Sequence, residues 1–174
     1  ISILPWTRKR VVAERYSAGR VHLCGDAVHQ MSPTGGYGMN TGIQEAVDLG
    51  WKLAATLQGW GGPRLLESYD RERRPAALRI TNEGARNYLQ FLKIPVGAEI
   101  AEDSPRGAAL RQRITDTIYG ERFDREYDMQ GATLGYRYEG SPIVVPDGTP
   151  EPPDESMHYL PTARPACRIR GRSC

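Results

Sequence analysis

The 174-residue sequence carries 23 basic and 21 acidic side chains, for a formal net charge of +2, with 39% hydrophobic residues. That length suits one ordinary domain with its own core, and the balanced charge gives no basis for nucleic acid or an anionic membrane surface as a partner. No apolar run reaches the roughly 18 residues of a membrane span, and Cys24, Cys167 and Cys174 show no metal or redox spacing. A cytoplasmic protein without a metal site is therefore expected.

Residues 1–19 read as an extended start that closes on a turn at Ala18-Gly19. Arg20–Cys24 read as a short strand that buries Cys24 as a free thiol. A glycine-rich loop with one acid near its start, Asp26, follows. Four of the six positions from Pro33 to Gly38 are Gly or Pro. Helical spacing begins at Ile43 and runs to Leu57, with Thr41 as N-cap and Gln44 completing a capping box. Ile43, Val47, Gly50, Trp51, Ala54 and Leu57 form its apolar stripe, and Asp48 and Lys52 are spaced to pair on another face.

Gly59 and the WGGP run end that helix, and Pro63 suits the first turn of a second. The second helix carries Leu65, Leu66, Tyr69, Ala76, Ile80, Tyr88, Phe91 and Leu92, with a kink expected at Pro75. A third helix is expected over about residues 105–128, then short strands at 136–138 and 143–145. From Pro146 the Pro-rich composition predicts a surface-hugging tail or linker.

The strand–loop–helix unit carries the chemistry. It aims free backbone N–H groups and the positive end of a helix dipole at one point, which suits an anion or a carbonyl-rich ring. Asp26, at the strand end, can accept hydrogen bonds from the hydroxyls of a sugar-like chain. A phosphate-loop nucleotide hydrolase is disfavoured, because no Gly-Lys-Ser/Thr follows the loop.

The run GDAVHQMSPTGGYGMNTGIQEAVDLGWKLA resembles the second flavin-binding motif of the single-component FAD-dependent aromatic hydroxylases. LLESYDRERRPAA is similar to the helix that follows in that family, and LGYRYEGSPIVVPDGTPEP and HYLPTARP are similar to C-terminal stretches of its phenol-type and polyketide-type members. The resemblance implies an α/β fold, mixed but mainly helical here. It would be part of a Rossmann-like FAD/NAD(P) hydroxylase fold without the N-terminal G-x-G-x-x-G unit that holds the ADP half of FAD. It divides the chain into the end of a FAD-binding domain (1–60), a helical segment packed on it (61–130) and an irregular linker or tail (131–174).

By the same resemblance Asp26 binds the ribityl hydroxyls and Gly25 lets the backbone approach the pyrophosphate. The Pro33–Gly38 loop, with Gly36 and Gly38, lies along the flavin ring, and the backbone around Pro33 faces flavin and substrate. Met39 and Asn40 offer backbone groups to the pyrimidine end. No side chain is assigned to catalysis. Implied partners are FAD, NAD(P)H, O₂, a small phenolic or other aromatic substrate, and an upstream segment of the same enzyme.

Several residues keep two readings. His29 is expected as support rather than as a general base. Tyr37, Tyr88, Phe91 and Tyr136 are candidates for the wall of an aromatic pocket and equally for core. Arg71, Arg73 and Arg74, partly neutralised by Asp70 and Glu72, read as a solvated or interhelical salt-bridge face. The rival function is a non-catalytic interaction module or remnant of such an enzyme.

Overall fold

The computed structural model describes residues 3–146 and 148–161. Its strands are short pairs: β1 (Val11–Val12) with β4 (His29–Gln30), and β2 (Ser17–Ala18) with β3 (Val21–His22), both antiparallel. The pairing registers are Val12↔His29 and Ala18↔Val21. Gly19, at φ +58°, makes the two-residue reversal between β2 and β3, a left-handed position that favours glycine. The expected Arg20–Cys24 strand shortens to Val21–His22, because its partner β2 is itself only two residues long. One further bond, from Leu23 N to Tyr16 O (2.9 Å), extends the contact.

Two long helices form the body: α1 (Tyr37–Leu57) and α2 (Leu65–Phe91). α1 starts a full turn before the expected Thr41 cap. Its N-cap is Gly36 in the left-handed region (φ +65°), without a side-chain cap. The Thr41 hydroxyl instead donates to Tyr37 O inside the helix (2.8 Å). The chain leaves α1 through Gly59 (φ +81°), with Gly59 N bonded to Thr56 O, as a glycine-terminated helix should. Pro63 falls just before α2, in a turn closed by Leu65 N to Gly62 O, rather than in its first turn. Pro75 lies inside α2, which continues past it.

α3 (Pro105–Gly120) opens on Ser104, whose hydroxyl accepts from Gly107 N at 3.1 Å. It stops short of the expected residue 128. Arg122 takes φ +56° and a 3-10 turn, Phe123–Glu126, replaces the last helical turns. The strands expected at 136–138 and 143–145 do not form. A short helix, α4 (Gln130–Leu134), precedes that region, which is irregular. The following segment is fastened to α2 and α4: Arg79 donates to Glu155 O (2.9 Å) and pairs with Asp154, Ser156 donates to Glu83 (2.8 Å), and Ala132 N donates to Ser156 O (2.8 Å).

One apolar core joins the hairpins to the helix pair through Tyr16, Val28, Leu49, Tyr69 and Ala77, with Cys24 half-buried at its edge rather than fully enclosed. A second joins α1 and α2 to α4 through Tyr37, Ile80, Met129 and Ala132. Between the helices the buried layer is polar: Glu45, Lys52, Glu72 and Arg73 are each at most 2% exposed. The apolar stripe of α1 points away from both cores. Ile43, Val47, Trp51 and Leu57 are 53%, 66%, 42% and 86% exposed.

Candidate functional site

Gly25–Ala27 form a 3-10 turn two residues after β3. Gly25 takes φ +61° and lies against α1 where the helix also presents a glycine. A Cβ on Gly42 would come within 3.3 Å of Gly25 Cα. The turn is tied down by one buried carboxylate. Glu45 Oε2 accepts from Gly25 N at 2.7 Å and lies 3.1 Å from His29 Nε2. His29 is thus a support residue held against α1. Asp26, carried by the tethered turn, is exposed. Its carboxylate has no hydrogen-bond or ion-pair partner among the described residues.

Burial raises the Tyr16 phenol well above the ordinary tyrosine range, and the Glu45 carboxylate raises it further. The phenol of Tyr69 is raised for the same two reasons. Both tyrosines stay neutral. The Tyr69 hydroxyl donates to Leu23 O at 2.7 Å, which anchors the strand end that leads into the turn.

The loop from Pro33 reaches α1 through Gly35 (φ +92°) and Gly36 (φ +65°), with Gly36 N bonded to Pro33 O at 3.0 Å. Thr34 fastens the loop to α2 by donating to Gly84 O at 2.6 Å. Gly38, Met39 and Asn40 lie in the first turn of α1, not in the loop. Asn40 Nδ2 donates to Gly36 O at 2.9 Å. The first turn holds no acidic residue, Met39 is 74% exposed, and no described atom lies within 4 Å of a Cβ built on Gly36. Beside Gly36 the helix start is thus open, while the Met31 side chain lies 3.9 Å from a Cβ built on Gly38 and the Glu126 carboxylate holds Gly35 N. The residues named from the sequence fall into two groups joined by α1: Gly25 and Asp26 at its side, and Pro33, Gly36, Gly38, Met39 and Asn40 at its start.

Of the four aromatics, Tyr37 and Tyr136 line one cavity of about 440 Å³ between α1, α2 and α4. The other two lie elsewhere: Tyr88 faces the Arg8 guanidinium, and Phe91 packs edge-on against Phe123 (5.3 Å between centroids). Arg73, expected at a solvated or salt-bridged face, is instead 1% exposed beside this cavity. It donates to Gln44 Oε1 and Tyr138 Oη, both at 3.1 Å. Burial opposes its charge, but Tyr138 and Tyr136 outweigh burial and lift its pKa. Asp48 and Lys52 do pair (2.7 Å), and Lys52 also bonds Glu72 (2.5 Å), whose other oxygen accepts from Ser141 (2.5 Å).

Sequence inspection missed Glu45, Arg73 and Glu126. The signal for Glu45 was present: Thr41, Glu45, Asp48 and Lys52 recur at four, three and four residues, a helical stripe of their own. Glu126 has no such signal. It reaches Gly35 N (2.9 Å) across 91 positions of sequence.

Residues 1–83 match the family described as FAD binding domain. The chain is 38% identical over 170 residues to the FAD-dependent monooxygenase opdD of Penicillium oxalicum, covering 94% of this chain and 32% of the relative. It is 33% identical over 183 residues to 2,4-dichlorophenol 6-monooxygenase of Delftia acidovorans, covering 94% and 31%. Among solved structures, RebC soaked with chromopyrrolic acid and holding 7-carboxy-K252c superposes with a TM-score of 0.83 at 41% identity, covering 94% of this chain and 31% of that one. The chain thus spans about a third of the length of these relatives. Residues 1–83 thus match the FAD-binding domain family, and over nearly its whole length the chain is similar to FAD-dependent monooxygenases.

Proposed function

We propose that this chain supplies the flavin and ribityl half of the FAD site of an NAD(P)H-dependent aromatic hydroxylase. The observation that carries the proposal is the pairing of a helix start open at Gly36 with an exposed Asp26, unpartnered among the described residues, on a turn locked to the same helix by Glu45. The residues fit the cofactor. Asp26 would accept hydrogen bonds from ribityl hydroxyls, and Gly25, close against Gly42, lets the backbone come near the pyrophosphate. The backbone at Met39 and Asn40 would meet the pyrimidine edge of the ring, with Met39 N–H among the free donors of the first turn. There the helix dipole favours the negative charge that reduction brings. Bound FAD supplies the redox and oxygen chemistry. The chain's own part is to seat the ring at the α1 start, with the backbone around Pro33 on the side where an aromatic substrate would approach.

NAD(P)H as reductant, O₂ as co-substrate and a cytoplasmic setting, where reduced nicotinamide is supplied, complete the proposal. Among the described residues no helix is long and apolar enough to cross a membrane. The outward stripe of Ile43, Val47, Trp51 and Leu57 supports one more element: an apolar partner surface contributed by the upstream part of the same enzyme. In this division residues 1–60 close the FAD-binding domain, 61–130 back it and 131–174 lead onward.

A half-site binds weakly, because tight binding of a large ligand draws on contacts at both of its ends. The chain alone is therefore expected to be inactive and to bind riboflavin and FAD with similar affinities near the millimolar range, about −4 kcal/mol. Fluorescence titration with both ligands tests this. Isolation of the chain as a yellow protein with stoichiometric FAD, or a hundredfold preference for FAD over riboflavin, would overturn it.

A further inference from the structure

The loop proposed to lie along the flavin contains two glycines in succession, Gly35 and Gly36, both in the left-handed region. Glycine loses more conformational freedom on ordering than any other residue, so this loop needs contacts that hold it. Its own bond, Gly36 N to Pro33 O, closes the turn but ties it to nothing else. Two contacts do the tying. Thr34 donates to Gly84 O on α2 at 2.6 Å, and a Cβ on Gly84 would stand 3.4 Å from Thr34 O, so the loop rests directly on the helix. The half-buried Glu126 accepts from Gly35 N at 2.9 Å, while the Tyr37 ring fills the space a Gly35 Cβ would need.

Glu126 is itself braced. Its neighbour Arg125 pairs with Glu83, the residue before Gly84, and Glu83 also accepts from Ser156 at 2.8 Å. Phe123, in the same 3-10 turn, packs edge-on against Phe91 of α2. The contacts close a triangle: α2 to loop through Gly84 and Thr34, loop to 3-10 turn through Gly35 and Glu126, and 3-10 turn back to α2 through Arg125 and Glu83. We infer that Glu126 is a positioning residue for the flavin: through Gly35 it keeps the Pro33–Gly36 loop in the conformation that receives the ring. A loop ordered in advance spares the ligand the cost of ordering it. Gly84 and Glu126 both lie outside residues 1–83, so the seat of the ring is completed from beyond the part that matches the FAD-binding domain. The inference rests on the flavin reading of the loop.

The test uses the isotopically labelled chain, with amide exchange read at Gly35 and Gly36 and FAD titrated into the millimolar range. Glu126→Ala removes the acceptor. Gly35 exchange should rise about tenfold or more, and FAD affinity should fall about three- to tenfold. Glu126→Asp, a second variant that withdraws the carboxylate by one methylene, should move both in the same direction by at least about twofold. Glu126→Gln keeps an oxygen acceptor for Gly35 N and should return both to within about twofold of the parent. Ser104→Ala removes the N-cap of α3 and should lower the urea midpoint while leaving both readouts unchanged. Unchanged Gly35 exchange in Glu126→Ala and Glu126→Asp, no rescue by Glu126→Gln, or an equal loss of FAD affinity in Ser104→Ala would each overturn the inference. No FAD binding by the parent chain would remove the flavin reading and this inference with it. FAD binding by the parent that Glu126→Ala leaves intact would remove this inference alone.

Discussion

The two long faces of α1 invert the usual arrangement. The face turned toward α2 buries Thr41, Glu45 and Lys52 beside Leu49 and Ala55, while the outward face shows Ile43, Val47, Trp51 and Leu57 to solvent. The inward face is held by directed contacts: Glu45 to Gly25 and His29, Lys52 to Asp48 and Glu72, and Arg73 of α2 to Gln44. The outward face has only area to offer. Directed polar contacts fix the position of a turn to within a hydrogen bond, which a half-site for a cofactor needs. Apolar area tolerates sliding, and suits a broad surface against another part of a larger domain.

Breaking the inward face should cost most. Lys52→Met leaves the buried Glu72 carboxylate and the half-buried Asp48 without their cation, and about 3–5 kcal/mol of stability should go, read as a fall in urea midpoint. Replacing Glu72 by Leu in the same variant should restore part of it, since the fully buried carboxylate is then gone and only the half-buried Asp48 has lost its cation. Next in size is Leu49→Ala, which removes apolar volume from the first core and should cost about 2–5 kcal/mol. If Leu49→Ala were as mild as an outward substitution, the two faces would not differ in the way described.

Asp26→Ala separates binding from folding. In protein joined to an upstream segment that carries the adenine half, FAD affinity should fall by about 1–3 kcal/mol. The urea midpoint of the chain should hardly move, because the carboxylate is exposed and has no partner among the described residues. Unchanged FAD affinity would reduce Asp26 to a turn residue. The smallest effect belongs to the outward face. Val47→Glu should change the stability of the chain by less than about 0.5 kcal/mol and lower its self-association in sedimentation. A loss comparable to that of Leu49→Ala would mean that the stripe is already buried in solution.

The sequence displayed the helices and the loop well, because spacing and glycine placement are local signals. It displayed the use of α1's faces poorly. Ile43, Val47, Trp51 and Leu57 announce a surface that needs cover, but periodicity does not say what covers it. The polar stripe from Thr41 to Lys52 looks solvated until Tyr16, Glu72 and Arg73 are seen to close over it. The start of α1 was misplaced by one turn because Thr41 and Gln44 have capping-box spacing, whereas two successive left-handed glycines, Gly35 and Gly36, turn the chain into the helix earlier. The loop residues implied by the family motif gather at one helix, while the cavity depends on Glu126 and Arg73, which lie 53 positions apart in sequence and carry no joint local signature.

The Glu45 tether works like the pivot of a pair of calipers. One jaw is the start of α1 and the other is the turn that carries Asp26. A single side chain two helical turns below the first jaw holds the second. Moving α1 along its axis therefore carries both jaws together and keeps their spacing. Inserting one residue between Gly36 and Glu45 would swing Glu45 about 100° around the helix, release Gly25 and His29 at once, and leave each jaw intact but no longer set to the length of anything.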